Sequence, residues 1–255
     1  MNQWNKMSVA QIKETLAGLE EAQQSEVCDI LLQDERKGVI ALTNKMLRQI
    51  EKNAAEKQRL VELWNYEKEA IRKGYTCIIG TDEVGRGPLA GPVVAAAVVL
   101  PENCMLAGIN DSKKLSEKKR EALAEEIKNN AIAYAIKEVS PEDIDRLNIL
   151  RAAEKAMEMA VKALNIGDYV LIDGDNRPRF EQPSQNIIKG DAKSISIASA
   201  SIIAKVYRDN LMVDYDEIYP EYGFGKHKGY GTAEHYNALK QYGPSPIHRR
   251  SFRLE

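Results

Sequence analysis

The sequence predicts an α/β domain with a helical N-terminal extension and a helical C-terminal region. From residue 75 onward, short apolar segments rich in β-branched residues alternate with helical segments, which is typical of α/β domains. From Ser8 to Gly74 the apolar residues recur only at helical spacing. The length of 255 residues fits one large domain, or one domain with an appendage. We therefore assign residues 1–73 to the extension and residues 74–255 to the α/β domain with its C-terminal region.

Capping residues and apolar runs predict the elements in order. In the extension, Ser8 can cap the first helix, Gly18 and Gly38 are predicted breaks, and a long charged helix is predicted over residues 51–73. In the domain, strands are predicted at residues 75–81, 93–100, 131–139, 169–172 and 186–189. Helices are predicted at residues 117–129, 141–164 and 194–215, with a short one after Thr232.

Composition excludes several classes of protein. The longest apolar run, Val93 to Leu100, is far shorter than the ~20 residues that span a bilayer. Residues 1–10 lack a basic segment followed by an apolar one, so no secretory signal is predicted. The three cysteines form no C-x-x-C pair, which argues against a disulfide scaffold or a structural zinc site. We expect a protein of the cytoplasm, without a membrane partner.

The formal net charge of −2, taken alone, argues against a nucleic-acid partner, because such domains are usually basic. The charge is unevenly distributed, however. Residues 222–255 hold six lysines and arginines against two acids, so the rest of the chain is acidic. A near-neutral total therefore does not exclude nucleic acid, since it conceals a basic tail and an acidic remainder.

Two adjacent carboxylates, Asp82 and Glu83, follow the first predicted strand. Carboxylates at the end of an apolar strand cost free energy to desolvate unless they are paired, and Mg²⁺ or Mn²⁺ is a suitable partner. Neighbouring side chains of a regular strand point to opposite faces, so both acids can share a metal site only if the strand ends there. Gly85 and Gly87 make such an ending plausible. A turn with solvated acids remains the alternative.

Two further acids stand at comparable places. Asp173 directly follows the apolar segment Tyr169–Ile172, and Asp191 precedes the predicted helix at Ser194. If the strands before Asp82 and Asp173 are parallel neighbours, both acids emerge at one sheet edge, where sites form in α/β sheets. Taken singly, Asp191 can also be a helix-capping acid. Four convergent carboxylates suit two divalent ions and phosphodiester hydrolysis.

Other residues suit a substrate rich in phosphate. Lys113 and Lys114 precede a predicted helix, Arg86 stands between two glycines, and residues 219–232 interleave aromatic, glycine and cationic residues. Singly, each lysine can be a solvated residue and each tyrosine a half-buried one. His227, between two lysines, is interpreted as a phosphate or surface contact. The dinucleotide and P-loop fingerprints G-x-G-x-x-G and G-x-x-x-x-G-K-[ST] are absent, which disfavours a phosphate-cradling loop.

Six motifs together resemble bacterial ribonuclease HII. They are G-T-D-E-V-G-R-G-P-L-A-G-P (80–92), D-S-K-K-L-S (111–116), L-I-D-G (171–174), K-G-D (189–191), A-S-I-I-A-K-V-Y-R-D (200–209, here with Ser201) and H-K-G-Y-G-T-x-x-H (227–235). The related ribonuclease HIII has threonine where Arg86 stands, which favours type HII. The resemblance implies an RNase H-like mixed sheet flanked by helices, with a C-terminal helical region.

The resemblance also implies an activity and its residues. The activity is a metal-dependent hydrolase, an endonuclease that cleaves the RNA strand of RNA/DNA hybrids and incises 5′ of single ribonucleotides in duplex DNA, leaving 5′-phosphate and 3′-hydroxyl ends. Asp82, Glu83, Asp173 and Asp191 resemble the family's catalytic, metal-binding carboxylates for Mn²⁺ or Mg²⁺. Gly85, Arg86 and Gly87 resemble its reader of the ribose 2′-hydroxyl, Tyr230 its sugar-packing tyrosine, and Lys113 and Lys114 are expected at phosphate.

Two other functions remain open from the sequence. A non-catalytic nucleic-acid binding module would bind in a salt-dependent way without cleavage, although the presence of all four acids argues against it. A nucleotide-binding regulator would bind free ATP or GTP and ignore the 2′-hydroxyl. The extension lies outside the six motifs. Its basic, amphipathic helices are expected either to raise affinity for the hybrid or to act as a scaffold, and we expect a monomer.

Overall fold

The computed structural model describes residues 3–255, and the chain divides between Arg59 and Leu60 into two compact units. The helices are α1 Val9–Ala17, α2 Glu21–Leu31, α3 Lys37–Leu63, α4 Asn65–Arg72, α5 Glu117–Asn130, α6 Pro141–Leu147, α7 Ile149–Leu164, α8 Ile195–Ile218, α9 Phe224–His227 and α10 Ala233–Tyr242. The strands are β1 Ile78–Val84, β2 Val93–Val99, β3 Ala133–Val139, β4 Tyr169–Asp173 and β5 Ser184–Ile187. Short 3₁₀ turns lie at Gln3–Lys6, Ser112–Lys114 and Gly190–Ala192.

The first unit is helical, as predicted. Ser8 caps α1 in a reciprocal capping box with Gln11, and Gly18 ends that helix. Gly38, predicted as a break, is wrong in that role: it is the second residue of α3. A glycine so close to a helix start costs no more than about 1 kcal/mol and does not stop propagation. The small apolar core of this unit is built from Trp4, Ile12, Leu16, Leu31 and Val39.

The second unit is built on a mixed five-stranded sheet in the order β3-β2-β1-β4-β5. The β3-β2 and β2-β1 pairs are antiparallel, whereas β1-β4 and β4-β5 are parallel. Strand β2 is buried on both faces. Its odd-numbered residues 93–99 pack with the apolar face of α7, and its even-numbered residues 94–98 pack with α5 and α8. The expected mixed sheet flanked by helices is confirmed.

Several predicted boundaries differ from the structure: the helix predicted over residues 51–73 is divided at Trp64 between α3 and α4, and the strand predicted at residues 186–189 is β5, Ser184–Ile187. The first strand, predicted at residues 75–81, runs from Ile78 to Val84, because its antiparallel pairing with β2 continues through Val84↔Val94. The helix predicted at residues 141–164 is divided into α6 and α7 at Asn148. Asn148 has φ 68°, which ends one helix, while its side chain accepts from the Arg151 amide and so caps the next.

Residues 60–73 of the predicted extension pack within the second unit. Leu60, Leu63 and Trp64 join the core around α5 and α8, and Ala70 packs with residues of β1 and β4. The compact units meet along the chain at residues 59 and 60. The predicted boundary at residue 73, between an extension and a catalytic domain, stays a prediction. Among residues 3–255, no helix is long and apolar enough to cross a membrane.

Candidate active site

The sheet brings Asp82 and Asp173 to the same place. Strands β1 and β4 are parallel, and their last aligned pair is Thr81↔Ile172. Asp82 and Asp173 are the next residues of the two strands, so they are neighbours at the carboxyl end of the parallel part of the sheet. This confirms the sequence-based expectation that the two strands are parallel neighbours and bring both acids to one edge.

The strand does not end at Asp82, contrary to the condition set by the sequence. Asp82 and Glu83 continue the β1-β2 ladder, paired with Ala96 and Ala95. What ends before Asp82 is the pairing of β1 with β4, which opens one side of β1. The two carboxylates still interact, because the Glu83 charge contributes to raising the pKa of Asp82. Asn176 also links the Glu83 carboxylate to the Asp173 backbone, so Glu83 lies near the end of β4 although β1 continues.

Asp191 joins the site through the backbone. The Oδ1 atom of Asp173 accepts hydrogen bonds from the amide nitrogens of Gly190, at 2.6 Å, and Asp191, at 3.3 Å. These amides belong to the 3₁₀ turn Gly190–Ala192, which immediately precedes α8. A side chain at position 190 would meet the Asp173 carboxylate at 3.1 Å, so the turn fits closely against it.

The electrostatics of the acids are those of a crowded anionic site. Burial raises the pKa of Asp82 well above its usual value, and the charges of Glu83 and Asp173 raise it further. Burial also raises the pKa of Glu83, although Arg86 acts in the opposite sense. The pKa of Asp191 is raised by partial burial, then by the charges of Asp173 and the nearby Asp111. Raised pKa values in clustered acids mark candidate functional sites.

Glu83 is held by two neighbours. Its Oε1 accepts from the Arg86 Nη1 at 3.3 Å, and its Oε2 accepts from the Asn176 Nδ2 at 3.1 Å. Asn176 is buried, and its Nδ2 also lies 3.2 Å from the carbonyl oxygen of Asp173. Asn176 was not predicted from the sequence, where its only signal is its place three residues after Asp173.

The donor set fits a hard divalent cation. Four carboxylates at one sheet edge repel one another, and an oxygen-preferring cation relieves that repulsion. Within the described residues, no three acidic, histidine or cysteine side chains already stand in a metal-holding group. The chemistry of the residues thus suits Mg²⁺ or Mn²⁺, while their side chains are held by protein hydrogen bonds.

Two buried arginines hold the glycine-rich loop that follows β1. Arg249 donates to the carbonyl oxygens of Gly85 (2.6 Å), Arg86 (3.1 Å) and Gly91 (2.9 Å). Arg208, on α8, donates to the carbonyl oxygens of Pro92, Ala90 and Lys228 at 3.0–3.1 Å. Both side chains are fully buried, and burial lowers the pKa of Arg249 to about 9. The sequence analysis assigned neither of them a role.

The predicted substrate residues lie around this loop. Gly87 is exposed, and a Cβ there would lie 3.4 Å from the ring of Tyr230, which is 44% exposed. Arg86 is also exposed and reaches Glu83. Lys113 is exposed and close enough to Asp191 for its charge to lower the pKa of that acid. Lys114 is exposed on the same 3₁₀ turn.

The histidines behave differently from the sequence interpretation. His227, interpreted as a phosphate or surface contact, is buried: its Nε2 bonds the Tyr222 carbonyl oxygen and its Nδ1 accepts from the Gly229 amide. It stacks on His235, whose Nε2 lies 2.9 Å from the Nε2 of His248. The aromatic residues of α9 and its neighbours enclose this cluster, a packing that short sequence motifs do not reveal.

Comparison with known proteins gives a consistent family assignment. A family model described as "Ribonuclease HII" matches residues 79–255, and one described as "Ribonuclease HII N-terminal domain" matches residues 8–71. The ribonuclease HII of Clostridioides difficile is 49% identical over 246 residues, covering 96% of each chain. The structure of ribonuclease H2 from Pyrococcus horikoshii aligns with a TM-score of 0.61 at 28% identity, covering 70% of this chain and 95% of that one. Bst-RNase HIII in complex with Mn²⁺ shares the fold, with a TM-score of 0.53 at 18% identity, covering 70% and 67%.

Proposed function

Because this chain belongs to the ribonuclease HII family, we propose that it incises 5′ of single ribonucleotides embedded in duplex DNA by two-metal-ion catalysis, leaving 5′-phosphate and 3′-hydroxyl ends. Family membership makes the protein a hydrolase, a ribonuclease H of type HII, and an endonuclease that acts on RNA/DNA hybrids. The single-ribonucleotide substrate and the two-metal mechanism are the proposed part. A monomeric state and a cytoplasmic location stay predictions.

One observation carries the proposal: the alignment of β1 and β4 that sets Asp82 beside Asp173, whose carboxylate binds the amide of Asp191. Three acids distant in sequence are thereby joined at one sheet edge, with Glu83 as the next residue of β1. Neither a binding module nor a nucleotide-binding regulator requires such a concentration of buried negative charge, which costs folding free energy.

The residues have separate roles in the proposed mechanism. Asp82 and Asp173 would hold one divalent ion, Glu83 would contribute mainly to the second, and Asp191 would complete or orient a metal shell. When bound, Mg²⁺ or Mn²⁺ would supply an activated water and would stabilise the leaving 3′-oxygen. Asn176 orients the Glu83 carboxylate, since its amide bonds Glu83 and the backbone of Asp173 together.

Substrate recognition is proposed for the loop and the tyrosine beside it. Backbone groups of Gly85, Arg86 and Gly87 would bind the 2′-hydroxyl, the group that distinguishes RNA from DNA at one position. Tyr230, exposed beside Gly87, would pack on the adjoining deoxyribose. Lys113 and Lys114, both exposed, would contact the phosphate backbone.

A cleavage assay on three samples tests the proposal. The substrates are a duplex with one ribonucleotide, an all-DNA duplex of the same sequence, and the first duplex with chelator. We expect one incision 5′ of the ribonucleotide in Mg²⁺ or Mn²⁺, and none in the other two samples. Binding without cleavage would favour the binding module, and affinity for free ATP or GTP would favour the regulator. Wild-type cleavage by Asp82→Asn would contradict the mechanism, while Asp214→Asn, an exposed acid on α8, serves as the control.

For the extension we propose that α3 raises affinity for the hybrid. Lys45, Arg48 and Lys52 are exposed at helical spacing on one face of this helix. Replacing all three by glutamate in the full chain should weaken hybrid binding. It should also reduce the dependence of affinity on salt, because binding with fewer phosphate contacts releases fewer counterions. Unchanged affinity and salt slope would remove this role and favour the scaffold.

A further inference from the structure

Glu67, on α4, is buried to 1% exposure although it carries a carboxylate. Its Oε1 accepts hydrogen bonds from the Ser194 hydroxyl at 2.6 Å and from the Ser196 amide at 3.0 Å. These partners lie 127 and 129 positions further along the chain, at the start of α8. A residue of the segment before the sheet therefore binds the first turn of the longest helix of the second unit.

The position suits a carboxylate. The first amides of a helix lack intrahelical partners, and the helix dipole favours negative charge there. Ser194 already caps α8, since its Oγ accepts from the Ile197 amide. Glu67 accepts from a second amide of the first turn, that of Ser196. Burial still raises the pKa of Glu67, which the bonds from Ser194 and Ser196 oppose. An apolar side chain here would leave the Ser194 hydroxyl and the Ser196 amide without this acceptor, so the carboxylate ties α4 to the start of α8.

The first turn of α8 is directly joined to the candidate site. The Ser194 amide bonds the Gly190 carbonyl oxygen at 2.8 Å, and the Gly190 amide bonds Asp173. Asp191 therefore lies between Gly190, which is bound to Asp173, and Ser194, which is bound to Glu67. Only two residues, Ala192 and Lys193, thus separate Asp191 from Ser194, whose hydroxyl binds Glu67.

The same turn also presses on β1. At Gly80, an added Cβ would lie 2.2 Å from the Ser196 carbonyl carbon, so the strand and the helix backbone touch without an intervening side chain. Gly80 precedes Asp82 by two residues on this strand. Further along α8, the Ser201 hydroxyl lowers the pKa of Asp82 through a hydrogen bond. A shift of α8 would therefore move the surroundings of both Asp82 and Asp191.

We propose that Glu67 is a positioning residue: by fixing the start of α8, it holds the Asp191 turn against Asp173 and β1, and so sets the carboxylates for the divalent ion. The inference rests on the proposed function, because it takes these acids as metal ligands. Glu67 itself touches neither the acids nor the substrate in this role. Its effect passes through Ser194, Ser196 and the turn at Gly190.

The test compares three full-length variants. Glu67→Ala removes the acceptor, Glu67→Gln keeps one acceptor oxygen, and Glu69→Ala removes an exposed acid of the same helix that pairs with Lys73. Binding of Mn²⁺ to the free protein is measured by calorimetry, and cleavage is measured against Mn²⁺ concentration. For Glu67→Ala we expect Mn²⁺ affinity to fall about tenfold, the low end of the outer-shell effect, because Glu67 acts on the ligands only through the turn at Gly190. Glu67→Gln and Glu69→Ala should stay within about twofold of wild type, well below that outer-shell effect.

The outcomes separate positioning from simple stability. A folded Glu67→Ala protein with wild-type Mn²⁺ affinity overturns the proposal, even if it unfolds at a lower temperature. If Glu67→Ala does not fold, Glu67→Leu carries the test, since it fills similar space without accepting from Ser194 or Ser196 and leaves the Ser194 cap of α8 in place: weaker Mn²⁺ binding supports the proposal, and unchanged binding overturns it. Failure of the proposed function has a different signature, namely Mn²⁺-dependent cleavage that survives in Asp82→Asn.

Discussion

The Arg249 guanidinium donates from Nη2 to the carbonyl oxygen of Gly85 at 2.6 Å, across 164 positions of the chain. Its other nitrogens bind the carbonyl oxygens of Arg86 and Gly91. Burying an arginine charge is costly unless it is compensated; here its nitrogens bind backbone oxygens, and its guanidinium carbon lies 5.0 Å from the centre of the Phe252 ring. Arg249, in the C-terminal segment, therefore fixes the backbone of the loop that we propose binds the ribose.

Replacing Arg249 by lysine should weaken recognition of the single-ribonucleotide duplex, although the positive charge is kept. Lysine cannot present the planar fork that bonds three carbonyl groups, so at least one buried oxygen loses its donor, at a cost of about 1–3 kcal/mol. We expect a lower free energy of unfolding in urea and a raised KM for a duplex with one ribonucleotide. Arg253→Lys, at an exposed arginine four residues later, is the matched control. An unchanged KM in a folded Arg249→Lys protein would contradict the role.

The two glycines of this loop should respond oppositely to alanine. Gly85 has φ 90°, and an added Cβ would lie 2.2 Å from the Arg208 Nε. Gly85→Ala should lose about 2–4 kcal/mol of stability, from backbone strain and from overpacking. Gly87 has no such constraint, and its Cβ would meet the Tyr230 ring at 3.4 Å. Gly87→Ala should therefore keep its stability and lose activity on the single-ribonucleotide duplex.

Urea unfolding of the two variants, followed by cleavage assays, distinguishes these cases. Equal stability of both would show that Arg208 and the loop can adjust. Full activity of Gly87→Ala would contradict our proposal that the substrate closely approaches the backbone at Gly87.

The positions of the acids could be predicted from the sequence, since Asp82 and Asp173 each follow a recognisable apolar strand, and the motifs add Glu83 and Asp191. The course of β1 through Asp82 and Glu83 could not, because it depends on pairing with β2 rather than on the local pattern. The same limit applies to Arg208 and Arg249. All but one of their partners are backbone oxygens more than 100 positions away, and such bonds leave no trace in side-chain spacing.

Removing one proposed metal ligand should stabilise the metal-free protein. Asp82 is buried beside Glu83 and Asp173, whose charges raise its pKa, so the ionised acids repel one another in chelator. Asp82→Asn relieves this repulsion and should raise the melting temperature in chelator. Turnover should fall by about a thousandfold, equivalent to about 4 kcal/mol of transition-state stabilisation.

Thermal unfolding in chelator and in Mn²⁺ tests whether Asp82→Asn is more stable without metal and gains less stability from it. In Mn²⁺ the wild type should gain stability and Asp82→Asn should gain less, because bound ligand stabilises only the form that binds it. Asp214→Asn, on the exposed face of α8, should follow the wild type in both conditions. A lower melting temperature for Asp82→Asn in chelator would show that its carboxylate stabilises the fold.

The histidine cluster should make stability depend on pH. One set of neutral tautomers satisfies it: His248 accepts at Nδ1 from the Ser245 amide and donates from Nε2 to His235, which donates from Nδ1 to the Tyr230 carbonyl oxygen. Burial, reinforced by His235, lowers the pKa of His248 to about 4. The unfolded chain binds the proton near pH 6.5 and the folded chain does not, so stability present at pH 7 falls as the pH drops.

The decrease should reach up to about 3 kcal/mol near pH 4, from a pKa difference of about 2.5. Urea unfolding at pH 7, 6 and 5 measures its onset, and His248→Gln should reduce the slope even if its stability at pH 7 is lower, because the group that takes up the proton is gone. The acids of the chain titrate in both proteins and cancel in the comparison of slopes. Identical slopes would mean that His248 is accessible to protons in the folded state, in conflict with its 2% exposure.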